Sequence, residues 1–169
     1  DLLSLKIKEL SDKYSVIVTS GGISMGDCDF IPPVIEALGY SYLFKKVKIK
    51  PGKPTLVAKK PDKYFLGLPG NPLSCYIGCH LFLLPLLFHL MGKKYVPLEC
   101  NAILNKKIYR ENNEREEFVL GVYQDFSFTP VEMLNSGHTS VLFQVNSYIR
   151  LPLGQIDYYK GKEINVRFL

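Results

Sequence analysis

The sequence predicts an α/β domain with a parallel-type sheet, followed by a small, barrel-like all-β domain. Three observations carry that expectation. Apolar runs at Val16–Val18 and Tyr64–Leu68 each enter a Gly-rich turn and then a helix, as buried parallel strands do. An uncharged, apolar stretch runs from Leu73 to Met91. Beyond Gly92 no helical period is visible, and short alternating segments separated by turn residues take over. These observations set the domains at 1–94 and 95–169.

The elements follow in order. Leu2, Leu3, Leu5, Ile7 and Leu10 stand among Lys and Glu at partly helical spacing, which predicts a helix over 2–12. Val16-Ile17-Val18 is a short buried strand. Pro32-Pro33 open a helix that Gly39 ends. Residues 43–49 are expected to be extended, with Lys46, Lys48 and Lys50 on one face and Val47 and Ile49 on the other. Thr55–Ala58 and Tyr64–Leu68 read as strands joined by a turn at 59–63. A long helix then covers 72–91. In the second domain, strands are expected around Ala102–Leu104, Phe118–Val122, Val141–Phe143, Tyr148–Leu151 and Ile164–Phe168. A doubly wound sheet normally begins with a strand, so an earlier strand–helix stretch is expected ahead of Asp1.

Composition narrows the function classes. The chain has 169 residues, 47% of them hydrophobic, enough for a true core. Its formal charge of +5 favours anionic ligands weakly. No basic run is interleaved with aromatics, so no nucleic-acid partner is expected. The N-terminus has no signal-peptide pattern. The four cysteines, at 28, 75, 79 and 100, form no Cys-x-x-Cys pair and read as reduced thiols of a cytoplasmic protein. The 72–91 helix approaches the length of about 20 apolar residues that a membrane span requires. Its Asn71-Pro72 start and internal Pro85 suit a helix packed inside a soluble protein, and no membrane partner is expected.

Three loops carry the chemistry. The first, Thr19 to Asp29, places Gly21, Gly22 and Gly26 where a ligand can approach the backbone, with hydroxyls from Ser20 and Ser24. Asp27 and Asp29 add two carboxylates suited to Mg2+ or to an ordered water. A polar turn with solvated aspartates is the alternative. The second loop, Lys50-Pro51-Gly52-Lys53-Pro54, aims two lysines between rigid prolines, and lysine as a point charge suits phosphate or another oxyanion. A lysine-protected edge strand is the plainer reading of the lysines before it. In the third, Gly67-Leu68-Pro69-Gly70-Asn71-Pro72, a strand meets a helix N-terminus, with Asn71 as N-cap and Ser74 in the first turn. Simple helix capping would use the same residues.

Together, TSGGISMGDCDF (19–30), KVKIKPGKPT (46–55) and GLPGNPLSC (67–75) resemble the molybdopterin molybdenumtransferase family, to which gephyrin's C-terminal region also belongs. REEF (115–118) and SGHTSVLFQVNSYIRLP (136–152) extend the resemblance through the second domain. It implies that residues 1–94 are part of a three-layer molybdopterin-binding domain. It also implies that the full-length protein inserts molybdate into adenylylated molybdopterin, releases AMP and uses Mg2+. Asp29, Lys46 and Lys50 fall at functional, catalytic positions of the family pattern. Lys53, Pro54 and Ser74 match residues near molybdate, and Ser140 matches a serine given by the β domain. Ser20, Gly21, Gly22, Ser24, Gly26, Asp27, Pro69, Gly70 and Asn71 would line the cofactor site, with Asp27 and Asp29 on the metal. The resemblance further implies an elongated homodimer and supply of substrate by a molybdopterin adenylyltransferase.

Two departures stand out. The family's Thr-Gly-Asp-Glu turn is absent from these residues, so the chain alone is expected to be inactive. The family also has an Arg shortly after the Phe of REEF, where this chain has Leu120. That change leaves open a non-catalytic molybdopterin-binding or scaffold module on the same fold.

Overall fold

The computed structural model describes residues 2–23, 30–110, 113–131 and 139–169. The elements in chain order are α1 (Leu2–Lys13), β1 (Val16–Ser20), α2 (Ile31–Ala37), β2 (Ser41–Phe44), β3 (Ile49–Lys50), β4 (Leu56–Lys60), β5 (Lys63–Leu68) and α3 (Pro72–Gly78). A π turn (Cys79–Leu83) leads into α4 (Leu84–Leu90), followed by β6 (Glu99–Leu104), β7 (Glu116–Gln124), β8 (Ser127–Pro130), β9 (Ser147–Leu151) and β10 (Glu163–Phe168). Two compact units form: Asp1–Val47 with Gly52–Gly78, and Lys48–Pro51 with Cys79–Leu169.

The first unit is built on a sheet of order β1-β5-β4-β2. β1 runs parallel to β5, and β4 and β2 continue it antiparallel. Ile17, Phe65, Ala58 and Tyr42 lie opposite one another across the four strands and so share one face. That face packs against Ile7 of α1 and Ile31, Val34 and Ile35 of α2. Ser11 and Tyr40 share a buried hydroxyl–hydroxyl hydrogen bond of 2.8 Å at this seam. Leu68, three positions beyond Phe65, faces the other way and meets α3, where a Cβ on Gly78 would lie 2.6 Å from Leu68 Cδ2. Helices on both faces make the expected three layers. Gly39 ends α2 at φ 81°.

Pro72 to Leu90 is one apolar helical stretch of 19 residues with mean hydropathy 1.7, long and apolar enough by length and composition to cross a membrane. Its middle widens into the π turn just before Pro85. Pro85 has no N–H to give the carbonyl of Leu81, and its ring crowds that group. A wider turn there relieves the clash.

The second unit is a closed barrel. β7-β8-β6-β10-β9 pair in series, and β7 pairs β9 to complete a five-stranded ring. β3 adds to β7 outside the ring. Ala102, Leu104, Phe128, Ile149, Leu151 and Val166 fill the core with Tyr158.

Three expectations change. Val141–Phe143 is part of a 3-10 turn, Thr139–Phe143, and Phe143 is 92% exposed, so apolar composition there reflects no buried strand. The extended lysine face shrinks to Ile49–Lys50, leaving Lys46 and Lys48 outside any strand. β8 adds a strand beyond those expected, because its Ser-Phe-Thr-Pro sequence is short and ends in proline.

Candidate functional site

In the first unit the two Gly-rich turns meet. β1 and β5 are parallel, so both turns leave the same end of the sheet, beyond the carboxyl ends of the strands. The amide of Gly21 donates to the carbonyl of Leu68 at 2.9 Å. A Cβ built on Gly70 would sit 3.5 Å from the Cα of Gly21, so the two turns lie side by side with space for little more than a Cβ between them. Gly21 and Gly22 take φ of 88° and 69°, a pair of left-handed residues that lets the chain turn sharply away from β1. Ser20 and Gly22 are exposed beside this contact, as is Gly70, while Pro69 is buried beneath it. Thr19 Oγ1 is buried with no hydrogen-bond partner among the described residues.

Asn71 caps α3 as its sequence predicts. Its Oδ1 accepts from the amide of Ser74 at 3.2 Å, and its carbonyl accepts from Cys75 at 2.9 Å. Ser74 is 7% exposed, held under this cap.

The lysine loop is folded from within. Val47 N–H donates to the carbonyl of Lys53 at 3.0 Å, leaving Lys46 and Lys53 exposed on a closed loop, with Pro54 half-buried. Lys45 has another role: it pairs with Glu36 at 2.9 Å, lies over the Tyr42 ring, and holds the Glu36 carboxyl below its usual range.

In the second unit, Lys50 pairs with Glu117 Oε1 at 2.9 Å. The other oxygen of Glu117 lies 3.4 Å from Nε of Arg110, whose side chain is fully buried. Arg110 donates to the carbonyls of Pro152, Gln155 and Arg115 at 2.8, 2.6 and 2.6 Å. This Arg110–Glu117–Lys50 chain escaped sequence reading. Glu117 stands inside REEF, but Arg110 is a lone arginine in a loop with no periodicity to mark it. Leu120, where the resemblance leads one to expect an Arg, is fully buried, and Tyr148 lies directly across from it. No charge sits at that position. Arg115, at odd offset from it, is engaged through its carbonyl by Arg110. Ser140 is exposed in the 3-10 turn.

Ser24, Gly26, Asp27 and Asp29 lie outside the described residues. Among the described residues no group of three or more His, Cys, Asp or Glu could hold a metal ion.

The family described as "Probable molybdopterin binding domain" matches residues 2–89, which include the paired glycine turns and the lysine loop. The chain belongs to this molybdopterin-binding family. Residues 102–169 match a second description, the MoeA C-terminal region (domain IV), which covers most of the barrel. The chain is 34% identical over 164 residues to the molybdopterin molybdenumtransferase of Bacillus subtilis, covering 95% of this chain and 38% of that protein. It is 41% identical over 114 residues to the molybdenum cofactor synthesis protein cinnamon of Drosophila melanogaster, covering 66% of this chain and 19% of that protein. The crystal structure of the molybdopterin biosynthesis moeA protein from Pyrococcus horikoshii superposes with TM-score 0.83 at 26% identity, covering 98% of this chain and 40% of that one. The chain thus spans less than two-fifths of its Bacillus relative's length. These similarities support a role for this molybdopterin-binding family member in molybdenum cofactor biosynthesis.

Proposed function

We propose that this chain is the C-terminal part of a molybdopterin molybdenumtransferase, which as the full-length protein inserts molybdate into adenylylated molybdopterin and releases AMP. The observation that carries the reading is the hydrogen bond from the Gly21 amide to the Leu68 carbonyl, with Gly70 close by, which gathers two Gly-rich turns and the start of α3 at one end of the sheet. Such a site offers backbone amides and a helix N-terminus to an anion. The molybdopterin-binding domain takes residues 1–94 and the barrel domain residues 95–169.

Each residue then has a task. Ser20, Gly21, Gly22, Pro69, Gly70 and Asn71 shape the wall for the pterin phosphate, with Ser24 and Gly26 continuing the first turn. Lys53, Pro54 and Ser74 receive molybdate, and Ser140 is the serine that the family resemblance assigns within the barrel domain. Lys46 and Lys50 neutralise charge that builds on the oxyanions, with Asp29 as their catalytic partner. Asp27 and Asp29 are the proposed Mg2+ ligands; a divalent ion there would offset the pyrophosphate charge. The protein contributes positioning and electrostatics, with no covalent intermediate required. Homodimerisation, a cytoplasmic location and supply by a molybdopterin adenylyltransferase complete the proposal.

The test is molybdate-dependent AMP release by the full-length protein. Lys50→Ala and Asp29→Ala variants should each lose roughly 100-fold or more, as removal of a charge-stabilising group does. Normal rates in both would end the site assignment. Leu120 favours a second reading, a module that binds molybdopterin without turnover, since its position is fully buried and uncharged. Wild-type protein that binds the pterin yet releases no AMP would select it.

A further inference from the structure

The chain that runs from Arg110 through Glu117 to Lys50 lies wholly within the barrel unit and ends on an exposed ammonium group. β3 lies parallel to β7 with Lys50 directly beside Glu117, so the backbone already makes the two side chains neighbours. Lys50 Nζ meets Glu117 Oε1 at 2.9 Å, with the Lys50 side chain 57% exposed and that of Glu117 17%. An exposed lysine on a flexible stem samples many directions, and ordering it as a ligand arrives costs conformational entropy. Glu117 orders it beforehand. Glu117 is held in turn by Arg110, whose guanidinium is locked by the carbonyls of Pro152, Gln155 and Arg115. Arg110 Nε is buried and makes no hydrogen bond among the described residues, yet Glu117 Oε2 stands only 3.4 Å away. A Glu117 carboxylate that gave up Lys50 would therefore find an unused donor within a small movement, and would not be stranded without a partner.

We propose that Glu117 is a positioning residue for the transfer reaction. It holds the Lys50 ammonium in one direction before the oxyanion binds, and releases it to the oxyanion as its own carboxylate closes on Arg110 Nε. The role rests on the transferase reading, in which Lys50 neutralises charge, and extends it to a residue that acts only through Lys50.

Rates of AMP release by the full-length protein, arranged as a double-mutant cycle, test it. Glu117→Gln keeps the side-chain volume and one acceptor oxygen, and is used beside Glu117→Ala so that a folding defect in the latter does not decide the outcome. Each folded variant should lose roughly tenfold in kcat with KM little changed, since a misdirected charge weakens transition-state stabilisation more than binding. In a Lys50→Ala background the same substitutions should cost nothing further. Losses that multiply in the double variants would overturn the proposal, as would a full rate in Glu117→Gln. A second readout needs no turnover: the rate at which an amine-reactive ester labels Lys50, followed by mass spectrometry with the exposed Lys59 as internal reference. Loss of the ion pair should raise Lys50 labelling about twofold or more and leave Lys59 unchanged. Equal Lys50 labelling in parent and variants would overturn the proposal. A parent protein that releases no AMP overturns the transferase reading itself, a failure distinct from normal AMP release with no dependence on Glu117.

Discussion

Thr55 gives both of its hydrogen-bond donors to a single acceptor, the carbonyl of Gly52. The amide lies at 3.1 Å and the hydroxyl at 2.8 Å, with Thr55 completely buried. Gly52 takes φ of 109°, a backbone region that side chains resist, and the paired donors hold it there. The exposed Lys53 follows immediately, so the turn that presents it rests on a buried threonine. Thr55→Val keeps the shape and the amide bond but removes the hydroxyl. It should cost about 1 kcal/mol in urea unfolding, the net worth of one hydrogen bond. A variant as stable as the parent would show that the amide alone holds the turn.

Gly67 is fixed by packing rather than by its backbone angle. A Cβ there would lie 2.7 Å from Ile23 Cγ2 and 2.8 Å from Leu56 Cγ. Gly67→Ala should destabilise the protein by roughly 1–3 kcal/mol through overpacking. In a Leu56→Ala background the added cost of Gly67→Ala should be smaller, since one of the two clashes is removed. Gly39 provides the contrast: nothing lies within 4 Å of its Cβ position, and its cost arises from φ of 81° alone. Gly39→Ala should cost about 1–2 kcal/mol, with no rescue by neighbouring truncation.

Arg110 anchors the barrel. Its fully buried side chain serves three carbonyls and one carboxylate, and the carbonyls of Pro152 and Gln155 lie 42 and 45 residues away in sequence. Arg110→Met should lose about 3–5 kcal/mol, because three buried carbonyls lose their donor and Glu117 keeps only Lys50 as partner. Arg110→Lys should recover little, since an ammonium cannot reproduce the planar fork. Chemical unfolding followed by near-UV circular dichroism of the tyrosines would measure both.

His80 gives the fold a pH dependence. Burial disfavours the charged imidazole and holds its pKa below the ordinary 6.5, beside the Tyr148 ring at 6.3 Å. The unfolded chain therefore binds a proton more readily than the folded one. Stability is complete above about pH 6.5 and declines as pH falls below it, levelling off once the folded imidazole also protonates. His80→Gln should flatten the unfolding midpoint between pH 7 and pH 5. An unchanged slope would assign the dependence to other groups.

Much of this architecture was legible because single residues punctuate it. Pro32-Pro33 and Gly39 bracket α2, Asn71 caps α3, and the glycine turns follow β1 and β5. The approach of Gly21 to Gly70 could not be read directly, because it depends on β1 lying beside β5, as where Ile17 pairs with Phe65. Val141–Phe143 misled through composition alone, as three apolar residues in a 3-10 turn look like a strand when burial is unknown. Leu120 was visible as a departure from the family pattern, and only the fold reveals that its position is sealed. Arg110 and Glu117 gain their roles from loops that close far along the chain, beyond the reach of local pattern.

β3 is only two residues long, yet it lies beside Glu116 and Glu117 of β7 and receives the Glu116 amide on the carbonyl of Lys48 at 2.9 Å. A strand borrowed from far upstream, Ile49 beside Glu116 and Lys50 beside Glu117, thus completes the barrel's outer wall. No single scission of the polypeptide yields both units intact. A protein begun at residue 95 would present β7 with an uncovered flank, inviting self-association through strand addition. The two units are therefore interleaved in sequence, since the later one keeps a splint cut from within the span of the earlier one.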